Sequence, residues 1–315
     1  MKKLLYLLLC FSSCLCWGQE KVGDFIEQGG IRYRVTKSWD KDNSHGDVVV
    51  TYWDSLRVGK IMRYNIEKKY EGIIVLPKII YIESIDGKRH QYTNKGIDKH
   101  AFEGCTNLIY TMLTYLMTYI GDRAFYGCKW LQVADLSTPT EQLYVGNEAF
   151  AKCTALRYVD MRNEHRYGEK VFAGCPNIEL ILTRYIGDYN YARYPISMFD
   201  ESVYSDAVFV RFDNPKYPKE FYKRNDCWQQ FRYAEFRKSN TYELHGFNFS
   251  SSADTQKRLY SELTGEKFPG LSDIPTIKQF DYTKVKRQNL FPALTNSYSY
   301  IKEKKLEIKE KESIK

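Results

Sequence analysis

The sequence predicts an α/β fold of the solenoid type, strand-rich and coiled as a curved right-handed superhelix. One phrase returns four times in the middle of the chain, with its phenylalanines 23, 25 and 22 positions apart. Each copy is followed by a short run of β-forming residues, and 43% of the 315 residues are apolar. Because a unit of this length cannot bury its own apolar face, successive units are expected to stack and share one core.

The phrase centres on a Phe followed by a Gly and a Cys, and it occupies residues 97–105, 120–128, 145–153 and 168–175. The Gly is expected to end a tight turn in the left-handed conformation, a position that Lys152 takes in the third copy. The Phe, the Cys and the first apolar residue of the next strand are expected to fill the interior. These predicted interior positions are Phe102, Cys105, Leu108, Phe125, Cys128, Leu131, Phe150, Cys153, Leu156, Phe172, Cys175 and Ile178.

Residues 1–18 have the pattern of a signal peptide, because two lysines precede an apolar run that ends at Gly18. The run is too short for a convincing membrane span, so the protein is expected to leave the cytoplasm. Three outcomes stay open. Cleavage near Gly18 would release a soluble chain. The segment from Phe11 to Cys14 loosely resembles a lipobox, so lipidation at Cys14 would hold the chain at a membrane, and the peptide could also stay uncleaved.

Residues 19–95 are expected to form an N-terminal β-hairpin cap and a degenerate first repeat. Apolar and alternating runs at residues 30–35 and 47–52, with a polar turn between them, indicate the hairpin. The degenerate repeat begins near Tyr70. A hairpin at this place would cover the first open edge of the stack, because unpaired edges invite aggregation.

Residues 96–235 are expected to form the solenoid and to end in a helical cap that carries Trp228. Residues 236–315 do not continue the phrase, and prolines and serine runs interrupt any long periodicity. We predict an irregular C-terminal extension with short helices near residues 255–263 and 298–310.

The recurring phrase resembles the repeat of the BspA-like leucine-rich-repeat family of secreted and surface bacterial proteins. The resemblance runs from residue 30 to residue 235 and includes segments at residues 70–77, 199–204 and 221–231. It implies a surface or secreted binding protein of a Gram-negative bacterium, without a catalytic site, whose activity is adhesion to host or neighbouring-cell proteins. The alternatives are a component of a surface glycan-handling assembly, hydrolytic or not, and a structural envelope protein.

A candidate binding face follows from aligning the four predicted strands. Side chains that follow the inward residue at the start of each strand mix aromatic, apolar and charged groups, which suits recognition of an extracellular protein or glycan. The sequence leaves open whether the N-terminal hairpin or the C-terminal extension covers them instead. The face consists of Ile109, Tyr110, Met112, Gln132, Val133, Asp135, Arg157, Tyr158, Asp160, Glu179, Leu180 and Leu182.

No cofactor, metal or nucleic-acid partner is expected. The net charge of +8 is interleaved with 39 acidic residues, which argues against nucleic acid. The repeat cysteines are spread one to a unit rather than clustered as metal ligands, and buried free thiols are favoured over disulfides. His100 and Cys105 are the nearest approach to a base and a nucleophile, but the phrase accepts any polar residue at the histidine position.

Overall fold

The computed structural model describes residues 21–40, 45–52, 55–58, 61–64, 70–83, 87–114, 116–137, 143–161, 166–184, 194–213, 226–238, 243–244, 247–248, 267, 276–278 and 292–313. These residues form a strand-rich fold with parallel sheets and few helices. The predicted signal peptide with Cys14, and the helix predicted at residues 255–263, lie outside the described residues.

Eight strands make up the first sheet: β1 (Phe25–Gln28), β2 (Ile31–Asp40), β3 (His45–Val50), β7 (Ile79–Glu83), β8 (Arg89–Ile97), β10 (Tyr119–Ile120), β12 (Tyr144–Val145) and β14 (Arg166–Tyr167). The predicted hairpin is present as the antiparallel pair β2 and β3, with β1 on the other side of β2. β3 pairs in parallel with β8, and β10, β12 and β14 follow in parallel, one from each repeat. β7 is antiparallel to the first half of β8.

A second series of strands, which we call the main ladder, consists of β6 (Gly72–Val75), β9 (Leu108–Met112), β11 (Val133–Asp135), β13 (Tyr158–Met161), β15 (Leu180–Arg184), β16 (Val208–Asp213), β17 (Tyr233–Lys238) and β20 (Thr276–Lys278). β6 pairs in parallel with β9. The strands β11, β13, β15, β16 and β17 also pair in parallel, each with the next in this order. The amide of Gln132 donates to the carbonyl of Ile109 at 3.2 Å and links the two parts. β20 joins the start of the ladder, antiparallel to β6.

The remaining described elements are two short hairpins, a 3-10 helix and three α-helices. The hairpins are β4 (Ser55–Val58) with β5 (Ile61–Tyr64) and β18 (Glu243–Leu244) with β19 (Phe247–Asn248), and the helices are the 3-10 helix Ile196–Met198, α1 (Glu201–Asp206), α2 (Asp226–Gln229) and α3 (Pro292–Ser313). α3 contains the helix predicted at residues 298–310. Within the described ranges, no helix is both long enough and apolar enough to cross a membrane.

Tight turns join the two strands of each repeat, and they stack on each other through the backbone. The amide of Phe102 donates to the carbonyl of Ala124 at 2.7 Å, and that of Phe125 to Ala149 at 2.7 Å. The predicted left-handed positions are observed at Gly104, Gly127, Gly174 and Lys152, with φ between 60° and 72°. A second left-handed position in each turn, which the sequence did not reveal, falls on His100, Arg123, Glu148 and Lys170, with φ between 52° and 62°.

The glycine after the first apolar residue of the phrase is required for close approach between turns. A Cβ atom on Gly121 would lie 2.4 Å from the backbone nitrogen of Lys99, and one on Gly146 would lie 2.5 Å from that of Asp122. These distances are far below van der Waals contact, so any side chain here would force neighbouring repeats apart. The glycine therefore sets the spacing of the stack at this side.

A column of aromatic rings runs through the interior. Phe102, Phe125, Phe150 and Phe172 stack with centroid separations of 4.9, 4.8 and 5.5 Å. Tyr70 extends the column at one end at 4.9 Å. The twelve positions predicted to be interior are all buried, with no more than 3% of each residue exposed.

The repeat thiols lie beside this column as buried free cysteines. The Sγ atoms of Cys128, Cys153 and Cys175 each donate to the carbonyl of the Phe one repeat earlier, at 3.1 Å. Burial raises the pKa of all three thiols, so they stay protonated donors at neutral pH. Each cysteine thus ties one repeat to its predecessor through a weak hydrogen bond.

The main ladder extends beyond the last copy of the phrase. β16 and β17 add two parallel strands to it, one before and one after the helix with Trp228 that was predicted to form the terminal cap. Trp228 is fully buried, and its ring lies 4.7 Å from that of Tyr194 and 5.0 Å from that of Phe209. These last units lack the recurring phrase, although Phe199 continues the aromatic column 5.0 Å from Phe172.

Candidate binding surfaces

The positions predicted to be an open binding face are mostly buried. Arg157 and Glu179 keep 27% and 30% of their side chains exposed, and their charged groups pair at 2.7 Å. The sequence left open whether these positions are exposed or covered, and for the other ten the structure shows the covered state. The ten buried positions are Ile109, Tyr110, Met112, Gln132, Val133, Asp135, Tyr158, Asp160, Leu180 and Leu182.

We call this side of the main ladder the second face, defined by two rows of residues in register. Its members point away from the interior, because the residues between them, such as Ala134, Val159 and Ile181, pack in the interior cluster. The first row is Ile73, Tyr110, Val133, Tyr158, Leu180, Val208 and Tyr233, and the second row is Val75, Met112, Asp135, Asp160, Leu182, Val210 and Glu235.

Two carboxylates stand next to each other on the second face. Asp135 and Asp160 are register partners on β11 and β13, and both are buried. The hydroxyl of Tyr110 donates to Asp135 at 3.4 Å, and that of Tyr158 donates to Asp160 at 3.3 Å. The pKa of Tyr110 is raised, mainly because the side chain is buried. The negative charge of Asp135 and the hydrogen bond that Tyr110 donates to Asp135 raise this pKa further. The backbone amide of Ser137 also donates to Asp135, at 3.1 Å.

An exposed row crosses the outer side of the first sheet. Tyr119, Tyr144 and Arg166 are register partners on β10, β12 and β14, and they alternate with Ile120, Val145 and Tyr167 of the interior. Tyr144 is 43% exposed, and Arg166 is exposed. We call these three residues the outer row. The sequence carried the signal, since Tyr119 and Tyr144 directly precede the inward residue that opens a copy of the phrase, and Arg166 stands two residues before the shorter fourth copy.

Asp98 joins the outer row to the N-terminal hairpin. Its Oδ2 atom lies 2.8 Å from Nε of Arg34, and the hydroxyl of Tyr119 donates to its Oδ1 atom at 3.4 Å. The pKa of Tyr119 is raised to about 12, mainly because the side chain is buried and secondly because of the negative charge of Asp98. Tyr119 is consequently a neutral donor at physiological pH, held in place by the carboxylate.

The outer edge of the turns carries a charged cluster. Arg123 binds Glu103 through Nη2 at 2.5 Å and Glu148 through Nη1 at 3.2 Å, and its guanidinium lies 3.7 Å from the ring centre of Tyr126. The Nδ1 atom of His100 contacts Glu103 as well. Among the described residues, no group of three or more His, Cys, Asp or Glu side chains could hold a metal ion.

The geometry defines a repeat protein whose units contribute one strand to each of two sheets and one ring to a shared column. A comparison of the sequence with models of known protein families also indicates a repeat protein. Residues 81–192 match the model of the BspA type leucine rich repeat region, with six copies where the sequence analysis found four. This part of the chain is a BspA-type leucine-rich-repeat region.

Three solved structures of bacterial proteins are similar to the chain. A leucine-rich repeat protein from Bacteroides ovatus ATCC 8483 is 16% identical, with a TM-score of 0.27 over 58% of this chain and 55% of that chain. The leucine-rich repeat protein of T. pallidum is 16% identical, with a TM-score of 0.31 over 66% of this chain and 97% of that one. The pneumococcal vaccine antigen PcpA is 15% identical, with a TM-score of 0.30 over 61% and 65%. The chain spans about half the length of the first of these. No curated protein sequence matches it significantly.

Proposed function

We propose that this protein is an exported repeat protein that binds another protein outside the cytoplasm, as an adhesin does. The observation that carries the proposal is the outer row, in which the half-buried Tyr119 and the exposed Tyr144 and Arg166 stand in register on neighbouring parallel strands. Tyr and Arg are the residue types most enriched among the residues that dominate binding energy at protein interfaces. Their backbone is held in register by parallel pairing on both sides of β12, so little ordering entropy is lost on binding.

The proposal includes the shape and the location of the molecule. The stacked repeats form a curved right-handed solenoid, with the hairpin of β2 and β3 as the N-terminal cap and the C-terminal helical part as the other cap. The basic and apolar pattern of residues 1–18 supports export, with release after Gly18 or lipidation at Cys14. Cell fractionation of the wild-type protein and a Cys14→Ser variant distinguishes these routes, because only a lipoprotein would leave the membrane fraction on substitution.

The binding test uses the mature chain from Gln19 onward, presented to a panel of extracellular-matrix proteins and to a glycan array. For the partner that binds, the Tyr144→Ala and Arg166→Ala double variant should weaken the affinity by about 30-fold or more, since truncation of one central interface residue costs about 2 kcal/mol. Tyr81→Ala is the matched control, because Tyr81 is a 41% exposed tyrosine on β7, away from the outer row.

Unchanged affinity in the double variant, with the same partner bound, would contradict the role of the outer row. Binding to glycans alone, or turnover of a glycan, would favour the alternative in which the protein belongs to a surface glycan-handling assembly. Equal loss of affinity in the double variant and in Tyr81→Ala would indicate a diffuse contact rather than a central one.

A further inference from the structure

The second face is buried although the repeats themselves do not cover it. In a stack of this kind each strand has one side on the shared interior, and the opposite side is the surface available to other chain segments. Here the members of both rows from β6 to β16 are no more than 4% exposed. A line of tyrosines, aliphatic side chains and two carboxylates has therefore been removed from water by something that lies on it.

The N-terminal hairpin does not lie on this face. The inward residues of β2, Ile31, Tyr33 and Val35, belong to the interior cluster on the side of the first sheet. β3 is fixed beside β8 by parallel pairing. The hairpin consequently continues the first sheet and leaves the second face to another part of the chain.

One described C-terminal element reaches the far end of the second face. Nζ of Lys304 lies 3.7 Å from Oε2 of Glu235, and Nζ of Lys305 lies 5.6 Å from the ring centre of Tyr233. Glu235 and Tyr233 are the last members of the two rows. A third contact joins Arg232 and Glu312 at 2.5 Å. α3 therefore runs antiparallel to β17 on the second-face side.

A second C-terminal element reaches the near end. β20 pairs antiparallel with β6, with Thr276 opposite Val75 and Lys278 opposite Ile73. Val75 and Ile73 are the first members of the two rows. Between β17 and β20 the chain must pass from one end of the main ladder to the other, seven strand spacings or about 34 Å at about 4.8 Å each.

We infer that the second face is a docking surface and that its occupant is the C-terminal part of this same chain, the part that carries β20 and α3. The chain leaves the last strand of the ladder, is anchored at the first strand through β20, and returns to the last strand through α3. The occupant supplies cations at the acidic end of the second face, where Lys304 and Lys305 lie near Glu235 and Tyr233. A protein partner that uses the second face must displace this segment. The inference is independent of the proposed function, which concerns the outer row.

Cysteine pairs in the full chain test the anchor at β20. Directly opposite residues of an antiparallel pair have Cα atoms about 4.5 to 5.5 Å apart, which is within the range of a disulfide. The Val75→Cys and Thr276→Cys pair should cross-link under mild oxidation, as a mass loss of two hydrogens and a mobility shift on a non-reducing gel. The control pair, Val75→Cys and Ile277→Cys, should not, because residue 277 is the register partner of Ile74 and not of Val75. Equal cross-linking of both pairs, or of neither, would overturn the anchor.

Chemical footprinting tests the cover. In the wild-type chain, Tyr110 and Tyr158 should resist nitration and Met112 should resist peroxide. In the Ile277→Pro, Lys304→Ala and Lys305→Ala variant, the modification rate at these three residues should rise by about tenfold or more, as local opening becomes accessible. Core residues Tyr33 and Met198 should stay protected and so report an intact stack.

The exposed lysines Lys302 and Lys309 of α3 supply the matched control. In a Lys302→Ala and Lys309→Ala variant, the modification rates at Tyr110, Met112 and Tyr158 should equal those of the wild type. Protection of Tyr110, Met112 and Tyr158 in the triple variant, with core residues also protected, would overturn the inference. If the triple variant unfolds, Tyr33 and Met198 react as well, and the cysteine-pair result then decides.

Discussion

At the scale of single residues, three of the four stacked phenylalanines, Phe102, Phe125 and Phe172, are among the largest fully buried side chains. Phe125 is the middle ring, with neighbours at 4.9 Å and 4.8 Å, and it is 1% exposed. Loss of its ring leaves a cavity between two stacked rings, and neither neighbour can move in without breaking its own backbone pairing.

Phe125→Ala is therefore expected to lower the free energy of unfolding by about 3 to 5 kcal/mol. Phe25→Ala is the control, since Phe25 is 39% exposed on β1 and its loss should change stability by about 0.5 kcal/mol or less. Urea denaturation followed by circular dichroism measures both. A loss of similar size in the two variants would show that the column does not carry the stability assigned to it.

At the scale of elements, the contact between turns depends on a residue without a side chain. Gly146 lies against the backbone of Asp122, and the amide of Asn147 donates to Oδ1 of Asp122 at 2.7 Å on the same side. The side-chain oxygen of Asn147 accepts from the amide of Glu169 at 2.8 Å in the next turn. A Cβ at Gly146 would meet backbone atoms on a turn that these bonds hold, so the strain cannot be relieved by rotating a side chain.

Gly146→Ala is expected to lower the free energy of unfolding by about 1 to 3 kcal/mol through overpacking. Elsewhere in a chain, Ala in place of Gly is usually well tolerated. Lys129→Ala, at an exposed position of the same stack, should stay within about 0.5 kcal/mol of wild type. Thermal or urea unfolding gives the comparison. A Gly146→Ala protein as stable as wild type would mean that the repeats can separate freely at this side.

At the scale of the whole molecule, the interior holds many acids in their neutral form. Burial raises the pKa of Cys128, Cys153 and Cys175, and of Tyr33 and Tyr167. In the unfolded chain these groups ionise near pH 8.5 for Cys and near pH 10 for Tyr. Above those values the unfolded chain has released protons that the folded chain still binds, so stability falls as pH rises.

The stability contributed by the buried thiols is expected to be complete below about pH 8 and to decline above it, by at most about 1.4 kcal/mol per pH unit for each thiol. Urea midpoints measured at several pH values between about 7 and 10 give the slope. Cys153→Ala removes one titrating group and should make the decline shallower. An unchanged slope would show that the thiols do not contribute to the dependence. Native protein should also leave its repeat thiols unreactive toward a disulfide reagent until it is denatured.

Much of the stack could be predicted from local pattern. The repeat period, the phenylalanine column and the left-handed turn at Gly104 are encoded within each copy of the phrase. The strands β16 and β17 were missed because their units replace the phrase with other aromatic residues, such as Phe209 and Trp228, which fill the same space. The burial of Tyr158 was missed for a different reason. Whether an outward position is open depends on segments far away in the chain, and β20 pairs with a strand about two hundred residues before it. No local spacing encodes such a pairing.

The glycine contact between turns also bears on how such an array can change in length over evolution. Because each turn rests on the backbone of the one before it, a gain or loss of residues within the turn itself would break this contact, whereas the phenylalanine spacings of 23, 25 and 22 residues show that the rest of a unit can differ in length. A duplication of an entire unit preserves the contact, as the same glycine meets the same backbone. Growth by whole modules is thus the permitted route, and each added module would lengthen both sheets by one strand.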